Sequence, residues 1–417
     1  MRILWFTNTP SRAAADFGYK SFGGGWISAL ETIVAAEGHN QLGICFFYDG
    51  SEYRRVEKNN VVYYGLPFQK ENAINRVISR HKGRLNDDTS EFTDQVLQDF
   101  KPDLIHVFGT EAGYARLLKG KFSKVVFHLQ GLVAPYSEVY FPPVLSPKQA
   151  LYSGNWKDLL RGLTFHHQYR QFRQRAQREL ETLRNWTYFT GRTHWDRNYA
   201  LLINPNAQYF HCEELLRADF FEASWSAPAA NPITEKLVIG TTINPNIYKG
   251  LDLIYKVLPL LEQFNVEWKL FGIGENSELN RVIKKAMGIH QPVKGLHFCG
   301  PTGAANLIQE LNGCHFFVHP SYIDNSPNSV CEAQLLGMPV ISSAVGGVSS
   351  LITNNENGFL FNPQDRYDLA GLIAWLAHHY DLAIEAGRKA RSTAQDRHDP
   401  KKLLNTLHAM YQTIHHG

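Results

Sequence analysis

The sequence predicts an α/β protein built from two doubly wound, Rossmann-like domains, and three observations carry that expectation. At 417 residues the chain exceeds one ordinary domain and suits two of about 200 residues each. Short apolar runs rich in aromatic and β-branched residues, such as Phe316-Phe317-Val318, alternate with longer helical patterns, the rhythm of strand–helix–strand units on a parallel sheet. A small, Pro-containing link, Ser224 to Asn231, breaks the chain near its middle. The expected domains are 1–223 and 232–399, with 400–417 as a helix crossing back to the first domain.

Composition narrows the functional classes. Hydrophobic residues at 44% and charged residues at 19% describe a soluble globular protein, and no run approaches the roughly 18 apolar residues of a membrane span. A net charge of +3 gives no ground for a nucleic-acid partner, although local basic patches suit anionic lipid or phosphate. The cysteines Cys45, Cys212, Cys299, Cys314 and Cys331 have neither Cys-x-x-Cys nor zinc spacing, which fits a reducing cytoplasm. The opening MRILWFTNTP reads as a strand and lacks the apolar core of a signal peptide. The expected location is cytoplasmic, with peripheral contact at the inner face of the membrane as an option.

In chain order, Arg2 to Thr7 reads as the first strand. Gly23-Gly24-Gly25 then precedes a helix from Ile27 to Glu37, where glycines allow close backbone approach and leave N–H groups for an anion. Strand-like runs follow at Gln41 to Tyr48, Asn60 to Tyr64, Leu104 to Phe108 and Val125 to Leu129. His128 ends the last of these, at the sheet edge where ligands of open α/β folds collect. The rhythm breaks from Ala134 to Leu183, an excursion with aromatics and a polar helix, His166 to Arg184, carrying Arg170, Arg173, Arg175 and Arg178. That helix is either a solvated face with Arg/Glu pairing or part of a ligand or membrane surface. Trp186 to Phe189 reads as the last strand of this half. Arg192 follows in Gly191-Arg192-Thr193, placed to balance phosphate charge or to form a buried ion pair.

The second half opens with a strand, Lys236 to Thr241, and reaches Lys249-Gly250 at a helix start, where an ammonium and a helix N-terminus add to one positive field. Val266 to Phe271 and Leu296 to Cys299 are strands ending at Gly272 and Gly300. The stretch His315 to Val348 then supplies a strand, a turn-rich loop from Tyr322 to Pro327, and a helix from Val330 to Leu336 stopped at Gly337. Asp324 and Glu332, eight residues apart, flank the helix start. Helical patterns at Tyr367 to His378 and Asp381 to Arg391 and an amphipathic one at Pro400 to His415 complete the chain. His415-His416 has no companion acid or cysteine, and no metal ligand set or cofactor is expected.

Asp324, seven residues, Glu332, then Ala333-x-x-x-Gly337-x-Pro339-Val340-Ile341, followed by Gly346-Gly347 and Asn357-Gly358-Phe359-Leu360, resembles the donor-sugar signature of the retaining glycosyltransferases of family GT4, which have the GT-B fold. Pro102-Asp103-Leu104-Ile105-His106 and Gly191-Arg192-Thr193-His194-Trp195-Asp196-Arg197 resemble further runs of that family. The resemblance covers nearly the whole chain and is densest from Thr241 to Pro363. It implies two Rossmann-like domains facing a central cleft. It also implies transfer of a sugar, with its anomeric configuration kept, from a nucleotide-diphosphate donor to a hydroxyl of a glycan or lipid-linked glycan. Surface polysaccharide or lipopolysaccharide assembly is the implied setting.

By the same resemblance, Asp324, Lys249 and His128 are the catalytic residues, with Asp324 on the sugar hydroxyls and His128 orienting the sugar. Lys249, the backbone of Asn325, Ser326, Asn328 and Ser329, the loop Gly23 to Gly25, and Arg192 answer the diphosphate. Glu332 takes the ribose hydroxyls, and the loops at Gly272 and Gly300 hold the base. Tyr140, Trp156 and the arginines of the polar helix are placed at the acceptor or a membrane surface. Two departures stand out: the first acid is usually Glu, and Thr241 to Ile243 lacks the Arg that usually precedes the Lys. Lys249 then works with fewer cationic partners, or Arg192 substitutes. Two other readings fit the same fold, a nucleotide-sugar epimerase and a non-catalytic glycan- or nucleotide-sugar-binding protein.

Overall fold

The computed structural model describes residues 1–19, 25–68, 71–85, 90–152, 154–228 and 236–417. It divides into two compact units: Met1–Ser137, Arg170–Leu216 and His398–Gly417 form one, and Glu138–Tyr169 with Arg217–Arg397 form the other. Of the excursion, Glu138–Tyr169 is thus grouped with the second unit and not with the expected 1–223 domain, while its remainder from Arg170 stays with the first.

In the first unit the strands are β1 Arg2–Thr7, β2 Gln41–Tyr48, β3 Arg54–Lys58, β4 Val61–Pro67, β5 Leu104–Phe108, β6 Val125–His128, β7 Tyr188–Gly191 and β8 Gln208–His211. They run in the order β3-β4-β2-β1-β5-β6-β7-β8, parallel except for the antiparallel pair β3–β4. Alternation along β1 shows why the sheet needs helices on both faces. Ile3 and Trp5 pack into one core with Leu30, Val34 and Leu407, while Leu4 and Phe6 pack into another with Val96, Phe100 and Leu183. A strand covered on both sides has no polar face to show, so its run is apolar throughout.

The last helix, Pro400–His416, is capped by the Asp399 side chain, which accepts from the Lys401 and Lys402 amides. Leu403, Leu407, Met410, Tyr411 and Ile414 lie at helical spacing on one stripe and join the β1 core. At its centre the Tyr411 hydroxyl is 2.8 Å from His106 Nδ1 and accepts from Trp5 Nε1 at 3.1 Å. Burial lowers His106 to about 3, so the ring is neutral and the polar cluster carries no charge.

In the second unit the strands are β9 Leu237–Thr242, β10 Val266–Phe271, β11 Leu296–Gly300, β12 Phe316–His319, β13 Val340–Ser343 and β14 Phe359–Phe361. Their order is β11-β10-β9-β12-β13-β14, parallel throughout. The order reverses between β9 and β12, and loops at the carboxyl ends of strands flanking such a switch point are where open α/β sheets place ligands. No helix among the described residues is long and apolar enough to cross a membrane.

Tyr411→Phe should destabilise the first unit by about 1–3 kcal/mol, because Trp5 Nε1 and His106 Nδ1 lose their buried partner. A lower urea midpoint at unchanged slope is the expected result.

Candidate active site

Lys249 and Asp324 belong to the two loops of the β9–β12 switch point. A short 3-10 turn, Ile247–Lys249, follows β9 and ends at Gly250, whose φ is +79°; a Cβ there would lie 2.0 Å from the Pro320 carbonyl oxygen. Only glycine lets the Lys249 turn lie against the end of β12. A backbone bond ties the loops together, the Tyr322 N–H donating to the Tyr248 carbonyl at 2.9 Å, and the Ser343 hydroxyl at the end of β13 braces the second loop by donating to the Ser321 carbonyl at 2.6 Å. Thr241, in the stretch that lacks the Arg usually preceding the Lys, has a structural role. Trp268 Nε1 donates to Thr241 Oγ1, which donates to the Val318 carbonyl.

On this frame Lys249 Nζ lies 2.5 Å from Asp324 Oδ2, and His319 Nε2 lies 3.0 Å from the same oxygen. Asp324 is 7% exposed. Burial pushes its carboxyl up, but Lys249 and His319 outweigh that and hold it well below the usual range. Burial lowers His319 despite the carboxylate beside it. The site therefore holds an ionised Asp324, set by an ammonium on one side and an imidazole on the other. The Asp324 carbonyl also accepts from the Gly347 N–H at 3.0 Å, so the Gly346-Gly347 pair of the signature closes onto the same loop.

The helix after this loop is Asn328–Leu336, beginning two residues earlier than its apolar run suggested, and its N-terminus carries no side-chain cap. Asn325 and Ser326 are buried, while Asn328 and Ser329 are partly exposed. Their order along the chain places successive backbone amides and a helix dipole at the end of β12, the general makings of an anion site. Glu332, one turn in, accepts a two-pronged bond from Arg217, Nε to Oε1 and Nη2 to Oε2, both at 2.7 Å. Burial raises the Glu332 carboxyl, with Arg217 opposing. Gly272 and Gly300 end adjacent strands, and the Gly272 N–H donates to the Gly300 carbonyl at 2.8 Å.

The first unit gathers the remaining residues. His128 ends β6 and is 3% exposed, with Trp26 at 5.7 Å and His106 at 5.6 Å between ring centroids. Burial, with His106 and Arg192 nearby, lowers its pKa far below the ordinary value. Arg192 pairs with Glu214 at 2.5 Å and donates to the Gln130 carbonyl at 2.7 Å, the buried ion pair of the two readings given for it. Glu214 Oε1 is also 3.9 Å from His128 Nε2. Gly25 opens the helix Gly25–Ala36; Gly23 and Gly24 lie outside the described residues. Tyr140 and Trp156 fall in the second unit, where Tyr140 is buried and Trp156 is 67% exposed; Arg175 belongs to the first.

His319, Arg217 and Glu214 escaped the sequence reading. His319 had a signal, since it ends an apolar strand two residues before the loop. Arg217 had none, because its partner is 115 residues away. Because Asp324 ionises in the folded chain well below its unfolded value of about 3.9, the stabilisation from its charge is present above about pH 4 and is lost as pH falls further. The stability gap between wild type and Asp324→Asn should therefore stay constant from pH 8 to about pH 5 and narrow below about pH 4, as urea titrations at each pH will show.

The family model described as "Glycosyl transferases group 1" matches residues 227–393. The putative teichuronic acid biosynthesis glycosyltransferase TuaC of Bacillus subtilis is 37% identical over 104 residues, 25% of this chain and 26% of that protein. An uncharacterized glycosyltransferase of Haemophilus influenzae and a glycogen synthase of Mycobacterium tuberculosis are likewise spanned over less than half their length. Over whole chains, sucrose-phosphate synthase from Thermosynechococcus elongatus superposes with a TM-score of 0.71 at 17% identity, covering 99% of both. HepE from Anabaena, in complex with UDP and glucose, gives 0.66 at 14% identity, covering 99% of this chain and 100% of that one. At such identities these two show the fold, the GT-B pairing of two Rossmann-like units. The matched stretch spans β9 to β14, the loops of Lys249 and Asp324 and the helix of Glu332, and over it the chain is similar to the group 1 glycosyl transferases.

Proposed function

We propose that this protein is a retaining glycosyltransferase that moves a sugar from a nucleoside-diphosphate donor to a hydroxyl of a glycan or lipid-linked glycan during surface polysaccharide or lipopolysaccharide assembly. The observation that carries it is the Lys249–Asp324 pair at the β9–β12 switch point, inside the segment that matches the group 1 family. The names of relatives such as TuaC and the capsular polysaccharide glycosyltransferase CapM of Staphylococcus aureus favour the polysaccharide setting.

Breaking a sugar–phosphate bond leaves negative charge on the diphosphate and positive charge on the ring. Charge already fixed in place lowers that barrier without reorganisation. Lys249 and the amides at the start of the Asn328 helix answer the leaving diphosphate. Asp324, kept ionised, accepts hydrogen bonds from sugar hydroxyls, and each Glu332 oxygen has a lone pair beyond the one Arg217 takes for a ribose hydroxyl. Neutral His128 is the group of the first unit assigned to the sugar. The leaving phosphate takes the acceptor proton, so no protein nucleophile is required. Any contact with a membrane is peripheral in this reading, and no bound metal is invoked.

A thermal-shift panel of UDP-, GDP-, ADP- and CMP-linked sugars tests it, since a ligand at 100 times its dissociation constant adds about 2.7 kcal/mol. Stabilisation by one nucleotide class and transfer to a glycan extract are expected; no shift with any donor would sink the proposal. Asp324→Asn should cut kcat roughly 100-fold or more, and Lys249→Ala should also destabilise the fold by about 3–5 kcal/mol by stranding a buried carboxylate. Glu332→Gln should act differently. Losing one charge-assisted bond of about 1.5 kcal/mol weakens donor binding roughly tenfold with kcat nearly unchanged, readable as a KM effect.

A further inference from the structure

The first unit holds a cavity of about 910 Å³ that the donor chemistry does not use. It lies at the carboxyl ends of β1, β2, β4 and β5, which include the pair β1–β5 where this sheet's order reverses. Its volume is at the upper end of the ≈ 300–1,000 Å³ typical of ligand sites.

Two kinds of wall meet there. One is aromatic: Phe47 stacks on Phe68 at 5.2 Å and on Tyr114 at 5.1 Å, with interplanar angles of 18° and 14°. Phe68 remains 43% exposed, so a ring already held in a stack shows π surface to the cavity. The electron-rich face of such a ring suits the C–H face of a pyranose. The other wall is basic, with Arg76, Arg80, Arg84 and Arg175 all lining the space. Among the described residues none of the four makes an ion pair.

Three acids line the same space, Asp49, Glu71 and Glu111. Glu71 accepts from the Ser79 hydroxyl at 2.6 Å and Glu111 from Asn8 at 2.7 Å, while Arg76 donates to the Glu71 carbonyl at 3.5 Å. No carboxylate is paired with any of the four guanidiniums among the described residues, so they remain available to an anionic ligand. A helix dipole accounts for Arg80, in the last turn of the helix Ala73–Lys82. It does not account for Arg76, in the N-terminal half, where a cation is disfavoured, nor for Arg175, midway along the helix Phe165–Asn185.

We propose that this cavity binds an acidic oligosaccharide, its sugar rings against Phe68 and its carboxylate or phosphate groups on Arg76, Arg80, Arg84 and Arg175. Guanidinium is the side chain suited to two-point pairing with such groups. Resting on the glycosyltransferase reading, the inference names the acceptor class: the glycan that receives the sugar is negatively charged. Arg175 is the member of the polar helix that takes part, without Tyr140 or Trp156.

Calorimetry on the full chain tests this without any donor. The probes are trigalacturonic acid, a hyaluronan tetrasaccharide, neutral maltotriose and inorganic pyrophosphate. At least one acidic oligosaccharide should bind ten times or more tighter than maltotriose. Arg80→Met/Arg175→Met should remove most of that difference, at unchanged melting temperature. Phe68→Ala should weaken the oligosaccharide and leave pyrophosphate unaffected, the signature of a saccharide site rather than a bare anion site. Equal binding of maltotriose, no acidic oligosaccharide binding, pyrophosphate binding as tightly as the oligosaccharides, or insensitivity to the arginine pair would each overturn it. Nucleotide-sugar binding measured on the same samples separates the two proposals. Its absence alongside arginine-dependent oligosaccharide binding removes the transferase reading and keeps the cavity, and transfer to maltotriose unaffected by the variants does the reverse.

Discussion

The second unit depends on a close approach of two loops at the point where its sheet reverses. Gly250 touches the Pro320 carbonyl at a distance no Cβ could share, and that contact lets Lys249 reach Asp324. Take the glycine away and the turn must move, and with it the only ammonium paired with this buried carboxylate among the described residues. A buried ion pair is a weak source of stability, because desolvation offsets most of the attraction. Its value here is positional and electrostatic. It keeps a carboxylate charged where burial alone would neutralise it, and His319 adds a second contact to the same oxygen.

The same logic explains which parts of the site were legible in the sequence. Asp324, Glu332, Lys249 and the glycines sit in one or two local motifs whose spacing follows from strand, loop and helix geometry, so a linear reading finds them. Arg217 and Glu214 pair with residues distant in sequence or left unassigned, and no local pattern announces them. The fold was legible for a comparable reason. Apolar runs mark strands buried on both faces, and nearly every expected strand appears within a few residues. The strands missed were β3, β8, β13 and β14: the first two are only partly buried, so the chain there lacks the continuous apolar signal, and the last two are only four and three residues long. Residues 138–169 were expected in the first domain because they follow it in sequence, but their contacts belong to the second unit.

In the first unit a different principle governs. His106, His128, Arg192 and Glu214 are almost wholly buried, and their arrangement limits charge to one ion pair. Both imidazoles are held neutral by burial, and the Arg192 guanidinium finds the Glu214 carboxylate and a backbone carbonyl. Such a cluster orients groups without presenting net charge. The polar side of the first unit is its arginine-lined cavity instead.

That division of labour bears on the missing cation before Lys249. Thr241 stands in that neighbourhood and is fully used by Val318 and Trp268, while Arg192 is occupied by Glu214. Neither supplies the positive charge that a diphosphate demands. Lys249 is itself paired with Asp324, so under the proposed function a diphosphate would share its ammonium and draw also on backbone amides at the start of the Asn328 helix. An ammonium with three donors can serve a carboxylate and a phosphate oxygen at once, which a guanidinium already forked onto one carboxylate, like Arg217 on Glu332, does less readily. Under the proposed function, lysine suits position 249 for a reason of geometry: a point charge on a flexible stem bridges two anions that a planar fork would have to choose between.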